Sequence, residues 1–163
     1  EESYNEVAQT IGTDNKTVEK YIDLLEKCYV IFRLNAFNRN IRTELKKSKK
    51  IYFYDNGIRN AVIQNFAPLS LRQDTGALWE NFFISERIKA NHYNGNYAKS
   101  FFWRTTQQQE IDYIEEADGN FTAFEMKWNP NKRPITFPSP FLNNYPVKET
   151  VVITPENYLE WVM

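Results

Sequence analysis

The stretch EIDYIEEADGNFTAFEMKW, residues 110–128, constrains this chain more than any other. Asp118-Gly119 separates two runs of alternating apolar and polar residues, and Asp and Gly both tolerate the positive φ angles of a two-residue type I′ turn. With those two residues as the loop, Ala117 lies opposite Asn120. Counting back then sets Asp112 against Glu125 and Glu110 against Lys127, all on one side of the strand pair. The other side carries Ile111, Tyr113, Phe124, Met126 and Trp128 and reads as a core face. Facing carboxylates destabilise a strand pair by up to about 1 kcal/mol. A lysine beside them offsets part of that, and a hard divalent cation inverts it. Two carboxylates, a cation and an ammonium group suit phosphodiester hydrolysis, because the cation activates water and the lysine positions it or stabilises charge. The same charges also suit the solvent face of an amphipathic hairpin, and Glu-x-Lys alone recurs by chance.

Upstream, SYNEVAQTIGTDNKTVEKYIDLLEKCYVIFRL carries helical spacing twice, with Val7, Ala8 and Ile11 on one face and Val18, Tyr21, Ile22 and Leu25 on the next. Gly12 suits a helix stop, and Thr13-Asp14-Asn15 offers caps for the second helix. Helix, turn, helix and a β-rich run is the order of a winged helix-turn-helix. The wing would be YVIFRLNAF and KIYFYD, joined by a connection that carries Arg39, Arg42, Lys46, Lys47, Lys49 and Lys50 against Glu44. That positive run is a candidate DNA-contacting wing, and equally a solvated loop. The second helix mixes Lys16 and Lys20 with Glu19, Asp23 and Glu26, a poor composition for reading a major groove. Asp55 is expected to cap or close a turn before Gly57.

Beyond the loop NFAPLSLRQDTG, the order is helix (GALWENFFISERIKANH), strand (KSFFWRTT), the hairpin, a Pro-rich segment, an apolar strand (ETVVIT) and a short terminal helix or tail. This order predicts an α/β (α+β) core in which helices pack on a mixed sheet. Its 163 residues allow one ordinary domain or two small ones sharing a core. The expected division is a winged-helix-like segment over 1–60 and the core over 61–163. A net charge of −1 gives no global attraction to nucleic acid, so such binding must be local. One cysteine, Cys28, suits a reducing, cytoplasmic setting, and one histidine, His92, leaves no His-rich zinc site. No apolar run is long enough to span a bilayer. The opening Glu-Glu-Ser, already close to a helical pattern and without Met, suggests a segment of a longer protein.

Glu80 on a helix, then Asp112, then Glu125-Met126-Lys127 resembles the PD-(D/E)XK nuclease core, with Ile111 where the superfamily name has Pro. The ordered phrases KIYFYDNGIRNAV, GALWENFF, FFWRT, EIDYI and FEMKW resemble the nuclease-like C-terminal region, a domain of unknown function, of a group of prokaryotic AAA+ ATPases. The resemblance covers most of the chain. It implies a winged helix followed by a restriction-endonuclease-like core, and a Mg²⁺-dependent hydrolase of phosphodiesters. Glu80, Asp112 and Glu125 would be the metal-site carboxylates and Lys127 the water-positioning residue. It also implies nucleic acid, DNA foremost, as partner. Arg104 at its strand end, and Arg39, Arg42, Lys46 and Lys47 of the basic connection, are candidate contacts by position and charge, while Arg104 is equally placed to pair with Glu110 or Glu80. Glu86 is a rival to Glu80 as the helical acid, though six residues along it falls on a different helical face. ATP would belong to an ATPase module of the same polypeptide preceding residue 1, since Gly-x-x-x-x-Gly-Lys-Ser/Thr is absent from these residues. A non-catalytic regulatory domain of the same fold, binding protein or DNA, is the competing expectation.

Overall fold

The computed structural model describes residues 4–39, 44, 48–129, 131 and 135–163. Two helices open it, α1 (Tyr4–Ile11) and α2 (Asn15–Lys27), separated by Gly12 at φ 71°. Asp14 caps α2 by accepting the N–H groups of Lys16 and Thr17, satisfying donors that the first turn leaves orphaned. Strands β1 (Ile31–Ala36) and β2 (Lys49–Phe53) follow, then α3 (Asn56–Val62), which Asp55 caps through the Ile58 N–H. The long helix α4 (Thr75–Tyr93) precedes β3 (Lys99–Arg104), β4 (Glu110–Ala117) and β5 (Asn120–Met126). Helix α5 (Ser139–Asn144), β6 (Val147–Ile153) and α6 (Leu159–Val162) complete the chain.

All six strands form one mixed sheet in the order β2-β1-β3-β4-β5-β6. β1 runs parallel to β3, and β5 parallel to β6; the other neighbours are antiparallel. The hairpin read from sequence as a wing therefore lies at the edge of the common sheet, because β1 pairs through Asn35 and Ala36 with Phe101 and Phe102. One face packs on α4, where Trp79, Phe83 and Ile84 meet Phe102, Tyr113, Phe124 and Ile153. The opposite face packs on α5, where Phe141 meets Phe37, Trp103, Ile114, Phe121 and Tyr145.

The Asp118-Gly119 turn forms as its composition requires, with φ of 50° and 77°, and β4 and β5 pair from Ala117↔Asn120 to Tyr113↔Phe124. The alternation counted from sequence breaks at one point. Phe101 pairs with Ile114 and Trp103 with Ile111, so β4 holds one residue more than β3 between these pairs. Such a bulge bends the strand and re-aims its side chains. Ile111 consequently joins Ile114 on the α5 face, while Tyr113 stays on the α4 face. The expectation that Ile111 and Tyr113 share a face is thereby corrected.

Two buried carboxylates brace the sheet. Glu115 accepts both arms of Arg87, the Asn91 amide and the Tyr113 hydroxyl. Glu44, the one acid of the basic connection, accepts the Trp103 indole N–H at 2.6 Å, the Tyr145 hydroxyl and the Arg39 N–H. Breaking a buried pair from one side leaves the other charge uncompensated. Glu115→Ala is therefore expected to lower stability by about 3 kcal/mol in urea unfolding. Glu116→Ala removes the half-exposed pair with Arg39 and is expected to cost less than about 1 kcal/mol.

Candidate functional site

The site begins where the β4–β5 ladder ends. Beyond Tyr113↔Phe124 the Met126 N–H is taken by the Asp112 carboxylate at 3.1 Å, and the Lys127 N–H by the Ile153 carbonyl. Asp112 is thus fixed by backbone on a neighbouring strand. Glu125 follows Phe124 on β5, and its Oε2 accepts the Lys127 ammonium at 2.9 Å.

Glu80 reaches the same place from α4. The helix is tied to β2 by Asn81, whose amide accepts the Phe53 N–H at 2.8 Å and donates to the Phe53 carbonyl at 2.9 Å. That double contact fixes the height of α4 against the strand and brings Glu80 beside Lys50 and Tyr52. Glu80 Oε1 accepts the Tyr52 hydroxyl at 2.6 Å and the Lys50 ammonium at 3.1 Å. Lys50 also reaches Glu110, at 2.5 Å.

The charges of these groups act on one another. Burial, the charge of Glu80 and the charge of Glu125 push the Asp112 carboxyl up to about 7, against the pull of Lys50 and the Met126 N–H. Partial burial pulls the Lys127 ammonium down, but its bond to Glu125 and the charges of Glu125, Asp112 and Glu80 hold it above the ordinary lysine value. Burial likewise opposes the charged form of Lys50, and Glu80, Glu110 and Asp112 outweigh it. Of the four residues singled out in the sequence, Lys127 bonds Glu125, and the charges of Glu80 and Glu125 act on Asp112.

Other expectations fare differently. Glu110 and Lys127 do not pair: Glu110 stands opposite Arg104 on β3 and bonds Lys50 and Arg104, because β4 turns away from β5 past the bulge. Arg104 belongs to the rim of the site, 3.4 Å from Glu110. Arg39 lies elsewhere, paired with Glu116 at 2.8 and 3.0 Å. Arg42, Lys46 and Lys47 fall outside the described residues. Glu86 pairs with Lys89, away from the acids. Asp23 and Glu26 of α2 pair with Arg33 on β1. Lys50 and Tyr52 were missed as site residues. They share the alternation of KIYFYD, and Tyr52 was quoted only as part of a strand.

A cavity of about 570 Å³ opens beside Glu80 and Glu110, its lining also including Lys50, Tyr52, Arg104 and, from α1, Tyr4; Asp112, Glu125 and Lys127 are not part of that lining. For a divalent cation, the donor set is suitable: hard carboxylate oxygens whose mutual repulsion a cation relieves. Asp112 and Glu125, with Glu80, would hold it. Among the described residues, however, no three Asp, Glu, His or Cys side chains converge as a ready-made cation cage. Lys50 already stands against Glu80.

Residues 75–161, more than half of the chain, match a family described as a domain of unknown function (DUF4143), and the chain belongs to that family. Residues 1–69 match a second domain of unknown function (DUF8612). Lys50 and Tyr52 thus come from one matched segment, and Glu80, Asp112, Glu125 and Lys127 from the other. Uncharacterized proteins of Mycobacterium bovis and Mycobacterium tuberculosis are each 29% identical over 124 residues, covering 75% of this chain and 27% of their own length. The chain therefore spans about a quarter of those relatives. An uncharacterized Bro-N domain-containing protein of Acanthamoeba polyphaga mimivirus is 27% identical over 117 residues, 71% of this chain and 56% of its own. No solved structure matches the chain significantly. Among the described residues, no helix is long and apolar enough to cross a membrane.

The raised Asp112 carboxyl has a consequence for stability. The folded chain keeps a proton there up to about pH 7, whereas an unfolded Asp loses it near its ordinary value of 3.8. The folded state binds more protons between those limits, so the contribution of Asp112 to stability is fully present below about pH 4 and is lost as pH rises through about 7. Asp112→Asn is expected to flatten that slope and, without cations, to raise stability at pH 8 by about 1–3 kcal/mol, read from urea unfolding in EDTA.

Proposed function

We propose that this chain is the nucleic-acid-handling module of a larger, cytoplasmic prokaryotic ATPase, with a winged-helix segment and a PD-(D/E)XK core that hydrolyses phosphodiesters with Mg²⁺. The observation that carries the reading is the enclosure of Asp112 against the charges of Glu80 and Glu125, with Lys127 bound to Glu125. A buried carboxyl held above its ordinary range by neighbouring acids is found more often at functional sites than in ordinary packing. DUF4143 domains are often found with AAA ATPases, which supports the parentage.

When bound, the cation supplies a water nucleophile at neutral pH and polarises the phosphoryl oxygen. The chain's own residues do the rest. Met126 N–H orients the Asp112 carboxylate, so one liganding oxygen is set by backbone rather than by a mobile side chain. Lys127, on Glu125, presents its ammonium protons to the attacking water or to the charge building on phosphorus. Arg104 at the rim meets a phosphate entering the cavity.

A second reading draws on Lys50: with this lysine already neutralising the acids, the same fold would serve as a binding domain without chemistry. The experiment that separates them incubates the full-length protein with labelled duplex, branched and single-stranded DNA in Mg²⁺ or Mn²⁺. Asp112→Ala, Glu125→Ala and Lys127→Ala are each expected to lower cleavage by about 100-fold or more. Cleavage that persists in the Asp112 and Glu125 variants would belong to another site. Its absence from the wild type on every substrate would favour the binding domain.

A further inference from the structure

Lys50 is an unusual residue for the edge of a sheet. Edge lysines normally point to water. This one turns inward from β2 with its side chain 15% exposed and its ammonium 5.4 Å from the centre of the Phe102 ring. Desolvating an ammonium group costs several kcal/mol unless it is paired and hydrogen-bonded. Here it is paired twice, with Glu80 on α4 and Glu110 on β4, and Asp112 also acts on it. Tyr52, two residues on and so on the same side of β2, donates to the same Glu80 oxygen.

Both contacts fall on Oε1 of Glu80, so a divalent ion taking that oxygen must compete with Lys50 and Tyr52 for it. A cation shared by Glu80 and Asp112 would compete with the Lys50 ammonium for the Glu80 carboxylate, and the two positive charges would repel each other. We propose that Lys50 is the resident counter-cation of the acid site. It occupies Glu80 until a divalent cation arrives, then gives up Glu80 and stays on Glu110 beside the cavity. The inference rests on the cation-site reading above and deepens it: the segment matched by one family governs cation entry to carboxylates carried by the other. It accounts both for the absence of a ready-made cage among the described residues and for the space next to the lysine.

Mn²⁺ binding to the full-length protein, followed by electron paramagnetic resonance of the free ion, tests this with no turnover involved. Lys50→Met is expected to bind about tenfold or more tightly than wild type, and Lys50→Arg, which keeps the charge, no more tightly than wild type. Asp112→Asn is expected to remove the binding. Equal or weaker affinity in Lys50→Met, with binding still dependent on Asp112, would overturn the lysine's role and leave the cation site standing. No Asp112-dependent binding in any form would overturn both. Because Lys50→Met takes an ammonium partner from both Glu80 and Glu110 and so disturbs the site, the wild-type protein provides a second readout. Reductive methylation of Lys50, quantified by peptide mass spectrometry, is expected to rise severalfold at saturating Mg²⁺. A rate unchanged at a concentration where Mn²⁺ occupies the site would overturn the exchange.

Discussion

One extra residue in β4 sets the surroundings of Asp112. Between Ile111 and Ile114 the strand runs one position longer than its partner β3, and everything past that point departs from simple alternation. Two isoleucines turn to the α5 face and seal it with Trp103. β4 then parts from β5, the ladder stops, and the backbone donor of Met126 is left for a side chain to satisfy. Asp112 satisfies it. A regular hairpin would have placed the same aspartate on a solvated ladder, where its charge is cheap and its pKa ordinary. Past the bulge it is instead buried under the charges of Glu80 and Glu125, which disfavours its ionised form and costs stability.

The parts legible in the sequence were those governed by neighbours along the chain. Asp118-Gly119 specified its turn through φ preferences, and the turn specified the register that brings Asp112 and Glu125 close. Asp14 and Asp55 cap the helices they precede, since capping needs only a carboxylate two or three residues before the donors. Glu80 was found through resemblance, as no local pattern distinguishes it from Glu86; only the docking of α4 through Asn81 decides which acid faces the sheet.

What escaped was set by tertiary placement. The bulge has no marker in EIDYIEEA, which reads as an unbroken strand. Lys50 looked like the last residue of a basic run, because charge patterning counts residues and not the direction they point. Its neighbour in that run, Glu44, looked like a lone acid among cations. In the fold it is among the most enclosed charged groups, held by Trp103 and Tyr145 from elements about 60 and 100 residues away. Basic composition along a connection thus says little about where its individual charges reside.

The grip of Asn81 on Phe53 has a further effect. β2 is an outer strand, and an outer strand offers unpaired backbone groups to any other extended chain. By taking both the N–H and the carbonyl of Phe53, one helical amide stands in for a missing seventh strand at that position. At the far border, β6 presents Lys148, Glu149 and Thr150 to solvent. One margin is capped at Phe53 by an internal mimic and the other carries charge, two features that disfavour sideways growth of a six-stranded sheet.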